Sequence, residues 1–270
     1  MDAALIDSHC HLDAAEFGRM ATDVADEAAT VGVRWIVVPA VERANFGNVA
    51  AIARQHPSCV YALGIHPMYV PRASEQDLIE LRAQVRQAMD DPRFVAIGEI
   101  GLDFFIPELK DGPLRDKQTH FYVEQLKIAR DFDLPVILHV RRSQDQLLKQ
   151  LRRIRVRGGI AHAFNGSEQQ AAAFAGLGFV LGFGGAMTFT RALQIRRLAA
   201  TLPVDSIVLE TDAPDISPSW LHPAVNTPVQ LPRIAAELAE LRGQPVADIA
   251  HQTTQNVARV LPRLGSLMMA

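Results

Sequence analysis

The sequence predicts an α/β fold, a single (β/α)8 TIM barrel filling residues 1–270. Three observations lead there. Short apolar or β-branched runs alternate with longer segments of helical spacing, the pattern of βα units around a parallel sheet. The runs number eight, as a closed barrel needs, where a doubly wound sheet commonly stops at roughly five to seven. No Gly/Ser/Pro-rich or single-sign stretch marks a linker, and 270 residues is an ordinary length for one barrel.

In order along the chain, residues 5–8 form the first run, residues 21–31 a helical segment, and residues 35–40 the second run. Residues 60–65 are the third, followed by a helix over 75–89. The fourth run, 95–100, precedes a long helical segment over 115–132. Runs 135–140 and 159–163 are divided by a helix over 143–151, and a helix over 167–176 leads to the seventh run, 179–183. A helix over 192–202 leads to the eighth, 206–211, after which 231–241 and 246–261 supply closing helices. Gly98-Glu99-Ile100-Gly101 lacks the strand, turn and helix context of a dinucleotide fingerprint.

Polar residues fall on this frame in a pattern. Five of the nine histidines, His9, His11, His66, His139 and His162, stand at the C-terminal ends of runs. Glu99 and Asp212 end the fourth and eighth. In a barrel those ends form the active face. His9 and His11 are two apart on a strand, so their imidazoles point the same way and reach one metal ion, while Cys10 faces away. A His-x-His pair alone is equally a hydrogen-bonded core pair; its neighbours on the same face favour ligation. Glu99, between Gly98 and Gly101, can bridge two cations through its two oxygens, against a plainer reading as an arginine's partner. His139 and His162 end adjacent strands at matching height and suit a second ion.

Asp212 lies nearer the mouth than Glu210 on a shared face. There it can bind metal through one oxygen and take a proton from attacking water through the other, while Glu210 organises its neighbours, with a swap of these two roles as the alternative. Asp103, further out, is assigned to the substrate, with orienting a ligand or capping the next loop as alternatives. His66 either contacts substrate or closes a turn before Pro67. Arg141 and Arg142 suit a phosphate, and Lys110, Arg115 and Lys117 a positive approach on the loop after the fourth run.

Composition narrows the classes further. Residues 35–41, the longest strongly apolar run, are too short to cross a bilayer. Asp2 and Asp7 stand where a secretory leader would be basic, and Cys10 and Cys59 are too few for a disulfide framework. A soluble, cytoplasmic protein is expected. The net charge of −3 argues against a globally basic nucleic-acid surface.

With these residues in place, the chain resembles the TatD-type metal-dependent deoxyribonucleases of the amidohydrolase superfamily. The resemblance covers nearly the whole chain. It is carried by Ile6-Asp7-Ser8-His9-Cys10-His11-Leu12, Gly64-Ile65-His66-Pro67, Gly98-Glu99-Ile100-Gly101-Leu102-Asp103, Leu134-Pro135-Val136-Ile137-Leu138-His139-Val140-Arg141, His162-Ala163-Phe164-Asn165-Gly166 and Glu210-Thr211-Asp212-Ala213-Pro214. It implies a dinuclear site with ligands His9, His11, Glu99, His139, His162 and Asp212, Glu99 bridging. Magnesium is the implied physiological ion, with zinc, manganese, cobalt or nickel as other occupants. One departure follows the last strand, where the family commonly shows Arg-Asn-x-Pro and this chain reads Val225-Asn226-Thr227-Pro228.

The expected activity is phosphodiester hydrolysis by a metal-activated hydroxide, with Asp212 and Glu99 catalytic and His66, Arg141 and Asp103 at the substrate. DNA, single-stranded or at its ends, is the implied substrate, with no membrane and no obligatory protein partner. A small ester, lactone or amide on the same site is the second reading. A non-catalytic nucleic-acid or protein-binding barrel is the third; loss of ligands would mark it, and none is lost.

Overall fold

The computed structural model describes residues 4–269. The eight runs are eight parallel strands paired in sequential order: β1 (Leu5–Asp7), β2 (Val33–Pro39), β3 (Cys59–Leu63), β4 (Phe94–Asp103), β5 (Val136–Arg141), β6 (Gly159–Ala161), β7 (Phe179–Phe183) and β8 (Ile207–Leu209). Parallel neighbours need a crossover. The crossovers are α1 (Ala21–Thr30), α2 (Phe46–Gln55), α3 (Glu75–Ala88), α4 (Gly112–Asp131), α5 (Gln144–Arg153), α6 (Glu168–Ala175) and α7 (Leu193–Thr201). α8 (Leu231–Arg242), α9 (Val246–Val260) and α10 (Pro262–Met269) follow the last strand. The result is a nearly closed (β/α)8 barrel. No described helix is long and apolar enough to cross a membrane.

The seam between β8 and β1 closes beside the polar residues. Ser8 N donates to Leu209 O at 3.1 Å, Asp212 N to His9 O at 2.9 Å and His11 N to Ala213 O at 2.8 Å. The Asp7 carboxylate adds side-chain bonds across the same seam, accepting from Thr211 N at 2.9 Å and from the Thr211 hydroxyl at 2.5 Å. At the opposite end, Val257, Val260, Leu261 and Leu264 of the last helices join an apolar cluster formed by Ile6, Val37, Val60, Val95, Ile137, Ile160, Val180 and Val208. Arg263 fixes this plug, its Nη2 donating to Met89 O at 2.9 Å and Asp91 O at 2.7 Å ahead of β4.

Three departures from the sequence reading stand out. β4 continues three residues past the expected end, to Asp103, so Glu99 lies inside a strand instead of terminating one. A register shift between Ile97 and Ile100 breaks the β4–β5 ladder around it. The glycines permit that approach: a Cβ on Gly98 would meet Ile137 Cβ at 2.7 Å, and one on Gly101, at φ +150, His139 O at 2.2 Å. α2 and α10 had no sequence signal of their own. Both are short, and Gly47 and Gly265 weaken their helical spacing.

Candidate metal centre

Six side chains from five strand ends turn toward one buried carboxylate, Glu99 of β4, which is 2% exposed. Its Oε2 lies 3.2 Å from His9 Nε2 and 3.5 Å from His11 Nε2. Its Oε1 lies 2.8 Å from His139 Nδ1 and 2.9 Å from His162 Nε2. Asp212 Oδ1 stands 3.5 Å from His9 Nε2 and 3.7 Å from His11 Nε2. The two oxygens of Glu99 therefore face two different groups of imidazoles.

His66 also enters this cluster, its Nε2 3.3 Å from Glu99 Oε1. Its other nitrogen, Nδ1, accepts from Met68 N at 3.1 Å. That bond leaves the proton of the neutral ring on Nε2, so His66 donates toward Glu99. The ring stays neutral because burial lowers its pKa to about 4.

The electrostatics divide the other groups. Burial alone would raise the Glu99 carboxyl, yet the imidazoles of His66, His162 and His9 hold it well below its usual range. Burial and the neighbouring His162 push His9 far down, keeping it a neutral nitrogen donor. Against burial, which would lower it, Glu99 and Asp212 lift His11 to about 9. His139 is lifted against burial by Asp103 and Glu99, and His162 by Glu99 and Asp212. Asp212 is the reverse case: burial raises it to about 6 despite His162 and His11.

These residues fit a metal ion better than they fit one another. His9 Nε2 and His11 Nε2 face each other at 3.3 Å while competing for one carboxylate oxygen. His9 Nδ1 and His162 Nδ1 are buried without a hydrogen-bond partner. Within each of the sets His9, His11 and Glu99, and His9, His162 and Asp212, the donor atoms lie within 4.8 Å of one another. Imidazole nitrogens mixed with carboxylate oxygens suit divalent first-row ions and, with added water, magnesium.

The family model of TatD related DNases matches residues 6–262. The chain belongs to this family. It is 40% identical to the uncharacterized metal-dependent hydrolase YjjV of Escherichia coli, across 95% of this chain and 97% of that one. The crystal structure of that TatD homologue superposes with a TM-score of 0.90 at 39% identity, covering 97% of this chain and 99% of the other. It is also 29% identical to the 3'-5' ssDNA/RNA exonuclease TatD of Escherichia fergusonii, over 94% and 97% of the two chains. This is a TatD-family metal-dependent hydrolase.

Several expected positions in this TatD-family barrel differ in detail. Asp103, expected at the substrate, is fully buried behind His139: its Oδ2 lies 3.1 Å from His139 Nε2, and its Oδ1 accepts from Phe105 N and Ile106 N. Arg141 is half-exposed at the mouth, its guanidinium 3.9 Å from the centre of the Phe105 ring and 3.8 Å from Asp103 Oδ2. Arg142 lies 4.8 Å from the same ring. The positive approach after β4 is smaller than expected. Arg115 and Lys117 belong to α4; Lys117 is tied to Pro71 O and Ala73 O, and Arg115 rests 4.8 Å over Phe104. Lys110 is exposed.

The sequence reading missed Asp7 as an organiser of this TatD-family site. Burial raises its carboxyl to about 7 against the hydrogen bonds from Thr211, and it also accepts from His9 N at 3.3 Å. Nothing in an Asp two residues before a histidine distinguishes a seam clamp from a strand end. Glu210 Oε1 accepts from Ala163 N at 2.5 Å and lies 3.7 Å from His162 Nδ1. Gly182 makes room for it, since a Cβ there would meet Glu210 Oε2 at 2.0 Å.

Proposed function

We propose that this TatD-family hydrolase is a nuclease that cleaves phosphodiester bonds of single-stranded nucleic acid at a site holding two divalent ions. The observation that supports it is the two-sided Glu99, whose oxygens each serve a separate group of donors. His9, His11 and Asp212 would hold one ion and His139 and His162 the other, with Glu99 common to both. Magnesium is the proposed physiological ion, with zinc, manganese, cobalt and nickel as substitutes. When bound, such ions polarise a phosphoryl oxygen and acidify water.

The chain's own residues supply the rest. Asp212 is 13% exposed, and its carboxylate takes the proton of the attacking water near neutral pH. Arg141 presents its guanidinium to a phosphate oxygen at the mouth. Asp103 holds the His139 ring in orientation through Nε2. The neutral His66 donates from Nε2, first to Glu99 and then toward a bound substrate.

The test is turnover of labelled single-stranded DNA and RNA, alongside small carboxylic esters, with and without chelator. Asp212→Asn is expected to lower metal-dependent cleavage by about 10²–10⁴-fold, the usual worth of a positioned base. Full activity in that variant would remove the assignment, and ester turnover without nucleic-acid turnover would remove the substrate class.

A further inference from the structure

Beside Asp212 the barrel mouth carries a cavity of about 830 Å3 that no residue of the metal centre lines. Its floor is Pro214, Asp215 and Ile216, immediately beyond Asp212. Phe189 and Arg191, between β7 and α7, form one wall, and His222, from the segment between β8 and α8, joins them. The walls are fixed to the strand end that carries Asp212. Asn226 Nδ2 donates to Thr211 O at 2.9 Å and Asp215 O at 3.0 Å, and Ser219 N to the Thr188 hydroxyl at 2.7 Å. A Cβ on Gly185 would meet Ile216 O at 2.0 Å, so the two segments pack backbone to backbone.

The lining is chemically divided. The Phe189 ring is half-buried, with the Arg191 guanidinium 5.5 Å from its centre and the His222 imidazole edge-on at 5.8 Å. Arg191 is exposed and forms no salt bridge among the described residues. Glu16 and Asp215 also line the cavity as exposed carboxylates. An apolar ring with a guanidinium at one side and carboxylates elsewhere suits a flat heterocycle carrying amino donors and one attached phosphate. A polyanion lying along the whole groove would meet both carboxylates. Aromatic faces accept any base, and a guanidinium is suited to a phosphate oxygen pair.

We propose that this cavity is a nucleoside subsite: the base adjoining the scissile phosphate rests against Phe189 and His222, and its other phosphate lies on Arg191. The proposal rests on the nuclease reading and adds to it the residues that grip the strand. The experiment compares wild type with Phe189→Ala, Phe189→Leu and Arg191→Ala on a single-stranded dodecamer and on bis(4-nitrophenyl) phosphate, which has no base. Loss of one stacked base should raise KM for the dodecamer about tenfold, with Leu less damaging than Ala. The loss on the dodecamer should exceed the loss on the small diester by a similar factor, and Arg191→Ala should flatten the salt dependence of KM. Equal losses on the two substrates, or an unchanged dodecamer KM, would overturn the subsite while leaving the nuclease reading intact. A wild type that cleaves the small diester but no oligonucleotide would end both.

Discussion

Asp103 shows what a single carboxylate does when its position is known. Buried against His139 Nε2 and two backbone amides, it fixes one ring whose other nitrogen faces Glu99. Removing such a partner typically costs about 10–100-fold in metal affinity or activity. Asp103→Asn should therefore weaken metal binding by about that factor and leave KM for substrate unchanged; a substrate contact would raise KM instead. Titration of the ion by calorimetry, paired with initial rates, separates the two. His9 and His11 were legible as a pair because a spacing of two fixes their common face. Asp103 was legible as important but not in role. Whether a carboxylate on a strand end points to solvent or into a neighbouring strand depends on where β4 stops, and the glycines that extend it act through a neighbour forty residues away.

At the scale of elements, β4 is the demanding strand. Gly101 sits at φ +150 with its missing Cβ 2.2 Å from His139 O, so any side chain there must push β5 away or distort the strand. Overpacking of this kind costs about 1–3 kcal/mol. Gly101→Ala should lower the urea midpoint accordingly and reduce metal affinity as well, because the displaced backbone belongs to His139. Gly18→Ala, where a Cβ would meet nothing within 4 Å, is the control for backbone strain alone. Equal losses in the two variants would show that the contact with His139 is immaterial. All eight strands were readable as apolar runs, since burial on both faces removes the alternation that turns and loops would otherwise confuse. α2 and α10 were not, because a helix of eight to ten residues broken by a glycine owes its stability to packing on the barrel.

Across the whole molecule, the centre couples proton binding to stability. His11, lifted to about 9, stabilises the metal-free protein fully below its ordinary 6.5 and loses that contribution as pH rises through 9. His139 and His162 are lifted in the same sense, and Asp7, raised by burial to about 7, loses its contribution as pH rises through 7. Glu99, held below its usual range, has finished titrating before pH 6.5, whereas His66, lowered to about 4, and His9, pushed far down, act in the opposite sense until their unfolded imidazoles finish titrating just above 6.5. The three lifted imidazoles and Asp7 outnumber those two near pH 6.5 and act unopposed by them at higher pH, so the metal-free protein should become less stable as pH rises. A bound ion displaces the protons on its ligands, and each displaced proton makes binding about tenfold tighter per pH unit, or about 1.4 kcal/mol. Thermal unfolding with and without millimolar magnesium, at steps between pH 6.5 and 8.5, checks both halves. Tm without metal should fall along the series, and the increment from magnesium should widen. An increment that stays constant with pH would mean that the ion does not compete for the nitrogens of His11, His139 and His162, and the proposed ligand set would have to be redrawn around the carboxylates.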